Sequence, residues 1–325
     1  MKNLSSKVKE KKIKEIIKKY LENKGYFVPK VEFDVGIRRP DVVGFKWIEE
    51  NEYEIDVIAI ECKKTNDARQ LLTPIIINYL RELQKFFPNV YLASPKVENN
   101  GLNAFLKLWR IGYYPIDVSS QNVIENYIIE AKTSPVLDGT NYLLQVRQRV
   151  ALILTYIDVF NNPEELEVRV SEPGIVWCFK REPANYCAGN GLLDNDYHFG
   201  INIEETNNVK KVLNIDQKKL FKIFKDLSED YSINLNYIDV RRPREVSWTI
   251  FHGKINKMSE NEFNKLINMC KEKNYNIRLY IHKRIWFKDE VLSRTEHKSR
   301  VENAKKELEP LKSEVEASLQ KKNNN

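Results

Sequence analysis

The strongest constraint on the fold lies in the first 120 residues, where helix-period and strand-like runs follow one another in order. Ile13, Ile16, Ile17, Tyr20 and Leu21 fall at i, i+3, i+4, i+7 and i+8, one face of an amphipathic helix. Gly25 stands where such a helix ends. Three strand-like runs follow, over 26–35, 42–48 and 55–62. The polar Glu49-Glu50-Asn51-Glu52 between the last two predicts a hairpin. A second helix is expected over 68–87, a strand over 90–93, a third helix over 102–110 and a strand over 113–118. The order is αβββαβαβ, that of an α/β domain covering 1–119.

Residues 120–165 read as a helical connector whose longest apolar-periodic part is 142–160. The next stretch contains an internal repeat. Strand 199–203, helix 217–227 and strand 233–240 are followed by strand 246–251, helix 260–270 and strand 277–282. That βαββαβ order predicts an α+β domain of ferredoxin-like type over 166–290, serving recognition or oligomerisation. Over 291–325, Val301, Ala304, Leu308, Leu311 and Val315 recur at 3,4,3,4 spacing, interrupted by Pro310. This predicts a charged C-terminal helix that packs on its own chain or makes a homodimer contact.

Composition narrows the function. No apolar run approaches the roughly 20 residues of a membrane span, and the lysine-rich start has no apolar core of a secretory signal. The expectation is a soluble, cytoplasmic protein without a membrane partner. Four scattered cysteines without a CxxC pair argue against a zinc ribbon or a disulfide framework. The net charge of +7 is unevenly spread, with nine lysines against three glutamates in residues 1–24. A basic balance favours polyanions, although a lysine-rich helix face is more often simply solvated. No pattern ties His198, His252, His282 or His297 to a site. Two basic segments with aromatic neighbours, Arg241-Arg242-Pro243-Arg244 and residues 282–288, could grip phosphate and stack on bases.

The chemistry lies in the hairpin. Arg38-Arg39-Pro40-Asp41 opens one strand, and the apolar run Val57-Ile58-Ala59-Ile60 leads directly into Glu61-Cys62-Lys63-Lys64 at the end of the next. Antiparallel pairing brings an acid that starts one strand beside an acid that ends its partner. A side-chain period of two puts Glu61 and Lys63 on one face and Cys62 on the other. Two carboxylates and an ammonium at one sheet edge suit a hard divalent cation, which takes few protein oxygens and keeps several waters. Asp41, Glu61 and the Cys62 backbone carbonyl are the expected ligands of Mg²⁺, with Mn²⁺ as substitute. Such a cation polarises a phosphate and acidifies a bound water. Lys63 would orient that water and offset developing charge.

With a helix before the sheet and these strands around it, the segment of about residues 5–120 resembles the PD-(D/E)XK nuclease superfamily. Its motif matches Pro40-Asp41 and Glu61-Cys62-Lys63, and Gly25-Tyr26 and Tyr91-Leu92-Ala93-Ser94-Pro95 add to the likeness. The resemblance implies a restriction-endonuclease-like αβββαβ core and a Mg²⁺-dependent DNA endonuclease of restriction or defence type. A Holliday-junction resolvase or repair nuclease is the alternative, and a non-cleaving binding module on the same fold the second. Many members also carry a glutamate on the first helix. Glu10, three residues before Ile13, falls on the inner face, whereas Glu15 faces away. A polar residue on the second helix is common too, and Gln70 is the candidate.

Overall fold

The computed structural model describes residues 9–29, 33, 35, 39–160, 167–170, 176–179, 184–190, 197–205, 217–218, 221–222, 225, 235–241, 249–287 and 289–320. The chain divides into two compact units, one drawn mainly from Met1–Leu154 and the other mainly from Val176–Glu290 and Thr295–Asn325. Both mix helices with sheet.

The first unit opens with α1 (Glu10–Asn23), which buries Ile13, Ile16, Ile17 and Leu21. These pack with Ile58, Ile60, Cys62, Tyr91, Ala93 and Tyr114 in one core. Fully burying four such chains contributes roughly 6–12 kcal/mol before entropy is subtracted. The helix lies close over the sheet at Gly44, where an added Cβ would come within 2.8 Å of Leu21. Gly25, at φ +80°, turns the chain out of the helix.

Two strands follow, β1 (Val42–Ile48) and β2 (Asn51–Cys62), paired antiparallel as the hairpin. The expected strand over 26–35 is reduced to a single bridge of Phe27 with Phe45, with residues 30–32 and 34 outside the described ones. The expected helix over 68–87 is broken in two, α2 (Ala68–Leu71) and α3 (Pro74–Leu83). Pro74 causes the break: it cannot donate to a preceding turn but suits the first position of a new helix.

Next come β3 (Asn89–Pro95), α4 (Asn100–Leu108) and β4 (Gly112–Asp117). Strands β2, β3 and β4 run parallel, and β5 (Asn122–Val123) closes the five-stranded order β1-β2-β3-β4-β5. Every residue from 57 to 62 and from 90 to 94 is buried, so these central strands are covered on both faces.

Residues 120–138, expected to be helical, form no α-helix and hold a single 3₁₀ turn, Glu125–Tyr127. The Asp117 carboxylate accepts from the amides of Ser119 and Ser120 and folds the chain into a turn. Strand β5 and a bridge of Ile129 to Tyr113 then extend the sheet. Helix begins only at α5 (Gly139–Asn141), passes through a π-helical stretch over 142–147, and continues as α6 (Gln148–Phe160).

The second sheet has seven strands, six of them in the second unit. Its strands are β6 (Glu167–Val170), β7 (Val176–Phe179), β8 (Ala184–Asn190), β9 (Tyr197–Glu205), β10 (Leu235–Arg241), β11 (Thr249–Lys254) and β12 (Asn276–Trp286). The order is β11-β10-β12-β9-β8-β7-β6. The four strands of the two expected repeats are present and each pair is split by a strand of the other, but the sheet differs from the expected four-stranded ferredoxin-like unit. There the first and third strands meet at the centre; here β10 pairs with β12, the second with the fourth. The reason is that β8 occupies one edge of β9 from Ala184↔Ile203 to Asn190↔Tyr197, leaving a single edge for β12.

The helix α7 (Glu260–Lys273) starts on a Ser259–Glu262 capping box and stops at Asn274 in the left-handed conformation. Only residues 217, 218, 221, 222 and 225 of the other expected helix are described, and all are helical. The final helix, α8 (Arg294–Gln320), runs through Pro310 and buries Val301, Ala304 and Leu308 within the chain. That part of the heptad stripe is used by the fold itself rather than offered to a second copy. No helix of the described residues is long and apolar enough to cross a membrane.

Candidate active site

The β1–β2 register pairs Val42 with Ile60, so one step further Asp41 stands opposite Glu61. Two carboxylates thus meet where β2 ends. The Cys62 amide donates to Asp41 Oδ2 at 2.8 Å and holds that side chain against the end of β2. In an extended strand the N–H and C=O of one residue point to the same neighbour, so the Cys62 carbonyl lies on the Asp41 side. The Cys62 side chain points the other way, into the core beneath α1. The next amide, Lys63 N–H, reverses direction and donates to Ala93 O at 2.8 Å. The Lys63 ammonium turns back to ion-pair with Glu61 Oε1.

Glu61 is only 8% exposed. Burial, and then the charge of Asp41, push its carboxyl up to about 7, against the pull of Lys63; Glu10 adds to the rise. Burial draws the Lys63 ammonium down, but its hydrogen bond to Glu61 and the surrounding carboxylates outweigh that, and it stays charged. The Cys62 thiol is pushed well up by burial and by the same carboxylates. It is therefore neither a thiolate ligand nor a nucleophile near neutral pH.

Glu10, at the first turn of α1, is close enough for its charge to act on Glu61, Cys62 and Lys63. Gln70 is exposed on α2 and does not hydrogen-bond to this group. Sequence reasoning missed Lys14, whose Nζ lies 2.6 Å from Asp41 Oδ1. It had been grouped with the solvated lysines of α1. The available signal was its position four residues after Glu10, on the same side of the helix.

Each of the two carboxylates is held by one ammonium group, and Glu10 adds a further negative charge nearby. A hard cation bound by Asp41, Glu61 and the Cys62 carbonyl would offset the same charge, so the donor set fits Mg²⁺ or Mn²⁺. Among the described residues no cluster of three or more His, Cys, Asp or Glu side chains is arranged to hold a metal. The set here needs only two carboxylates and a main-chain oxygen.

The basic segments of the second unit are less available than expected. Residues 242–244 lie outside the described ones. Trp286 is fully buried and stacked on Tyr197, and His282 is buried with its pKa lowered to about 3 by burial and by His198. Phe287 remains exposed, with the Arg284 guanidinium 5.1 Å from its ring centre. Comparison of the chain with family models, curated proteins and solved structures finds no match.

Proposed function

We propose that this chain is a Mg²⁺-dependent DNA endonuclease of the PD-(D/E)XK type, acting in restriction or defence, with Mn²⁺ as an alternative cation. The observation that carries the reading is the convergence of Asp41, Glu61 and Lys63 at the end of β2, with the Glu61 carboxyl raised by burial beside Asp41. Reading the helix–hairpin–helix–strand order of the first unit as a restriction-endonuclease-like core belongs to the same proposal. A cation at this site would supply Lewis acidity to a phosphate and acidify a bound water. Asp41 and Glu61 would hold it, and the Cys62 amide fixes Asp41. Lys63 positions the attacking water and offsets negative charge growing on the phosphoryl oxygens. Glu10 contributes negative charge to the site.

A second reading, a nucleic-acid-binding module that does not cut, draws on the ion pairs of Lys14 with Asp41 and of Lys63 with Glu61, which already neutralise both acids. One experiment separates the two. Supercoiled plasmid, single-stranded DNA and branched DNA are incubated with the full chain in Mg²⁺, Mn²⁺ or EDTA. The nuclease reading expects metal-dependent nicking or linearisation. Binding without cutting in either metal would replace it with the module, and cutting confined to branched DNA would shift it to a junction resolvase.

A further inference from the structure

Beside Asp41 a cleft of about 230 Å³ opens between α1 and the chain entering β1. One wall carries Lys11, Lys14, Lys18 and Glu15 from the helix; the other carries Pro29, Phe33 and residues 40–43. The three lysines fall at i, i+3 and i+7, one side of the helix. Lys14 sits at Asp41 itself, so the row of cations starts at the candidate catalytic carboxylate and runs away from it in both directions. From Lys11 to Lys18 the helix rises about 10 Å, over which one strand of a duplex presents roughly three phosphates.

The chemistry of the walls selects the ligand. Phe33 is the one aromatic lining residue and is itself buried, so no open ring is offered for stacking on a base. Among the described residues the opposite wall supplies Pro29, Phe33, Pro40, Asp41, Val42 and Val43 and no further cation. Three ammonium groups against two carboxylates leave the cleft net positive. This differs from the ordinary solvated lysine face in being concave and in ending on the reacting group. Resting on the nuclease reading, we infer that this cleft is the subsite for the phosphodiester backbone of the DNA strand next to the scissile phosphate. Lys11 and Lys18 grip flanking phosphates without reading sequence, and so bring the scissile phosphate over Asp41 and Glu61.

The test compares two charge reversals on one helix. Lys11→Glu/Lys18→Glu changes the cleft; Lys12→Glu/Lys19→Glu removes the same charge from residues that do not line it. Binding of the full chain to a labelled DNA duplex is followed by fluorescence anisotropy in EDTA across a salt series. Each lost phosphate contact lowers the slope of log K against log salt by about 0.9. The cleft pair should therefore lower it by about 1.8 and weaken binding on the order of tenfold or more at 0.1 M salt, with the control pair changing the slope by less than half that. Lys11→Gln/Lys18→Gln, which keeps a polar side chain and removes the charge without adding repulsion, should give the same loss of slope with an unchanged melting temperature. Equal effects from the cleft and control pairs would overturn the subsite while leaving plasmid cleavage by the wild type, and with it the nuclease reading, intact. A wild type that neither binds nor cuts DNA would overturn both.

Discussion

The two ends of the first sheet both hold carboxylates, and they hold them in different ways. Near the start of β2, Asp56 accepts hydrogen bonds from the Tyr26 hydroxyl and from Asn89 Nδ2 at 2.9 Å. Glu130 accepts from the Tyr91 hydroxyl at 2.7 Å. Burial pushes both phenols well above their ordinary range, so they remain donors at any working pH. The rings are fixed as well, Tyr91 stacked on Tyr114 at 4.5 Å and Tyr114 edge-on to Tyr20 at 5.5 Å. At the far end Asp41 and Glu61 stand together, and the side chains that neutralise them are the long ammoniums of Lys14 and Lys63. Neutral donors on rigid rings satisfy a carboxylate permanently. A lysine on a flexible stem can be displaced by a better cation. The first end is built to stay as it is, the second to exchange its counter-charge.

The largest expected effect follows directly. Asp41→Ala, Glu61→Ala and Lys63→Ala should each reduce metal-dependent plasmid cleavage by a factor on the order of a thousand or more. Asp56→Ala should leave the rate within about threefold of wild type, since it alters stability rather than the reacting groups. Equal losses at both ends would erase the distinction.

A stability measurement sharpens it next. Glu61 titrates near 7 in the fold and near its ordinary 4.5 when unfolded. Its favourable contribution is thus present below pH 4.5 and is lost as pH rises from 4.5 to 7. Glu61→Gln, neutral throughout, should match wild type near pH 4 and exceed it by on the order of 2–3 kcal/mol above pH 7. Urea denaturation at pH 4 and pH 8 measures both. A destabilised Glu61→Gln at pH 8 would mean that the pair with Lys63 outweighs the cost of burial.

Smaller effects belong to the tyrosine end. Asp56→Ala leaves the Tyr26 hydroxyl and the Asn89 amide without their acceptor and should cost about 1–3 kcal/mol. Tyr26→Phe removes one hydrogen bond while keeping the ring under the Lys46 ammonium, 4.5 Å from its centre, and should cost about 1 kcal/mol. Differential scanning calorimetry reads both.

This contrast was only half legible in the sequence. Asp41, Glu61 and Lys63 could be brought together on paper because hairpin pairing and a period of two are local rules, and the turn at Glu49-Glu50 joins the two strands directly. The tyrosine network could not: Tyr26, Asp56, Asn89, Tyr91 and Glu130 lie up to a hundred residues apart and carry no motif. Lys14 was hidden for a related reason. A helix pattern separates apolar from polar faces but does not say which boundary lysine meets a carboxylate across the sheet. The helix expected over 68–87 breaks at Pro74, whose ring and missing N–H end one helix and start the next. The non-helical stretch 120–138 failed because its strands are defined by partners, Val123 by Ile116 and Ile129 by Tyr113. In the second unit the repeat was readable from spacing, whereas β6, β7 and β8 and their capture of the β9 edge follow from pairing that composition does not encode.

The most direct test of the exchange of counter-charge is Mn²⁺ binding to the full chain near pH 7.5, followed by calorimetry or by the electron paramagnetic resonance of the ion. Wild type and Asp56→Asn should each bind Mn²⁺ with the same affinity at a site that Asp41→Asn abolishes. Binding that survives Asp41→Asn, or that is lost in Asp56→Asn instead, would contradict the account.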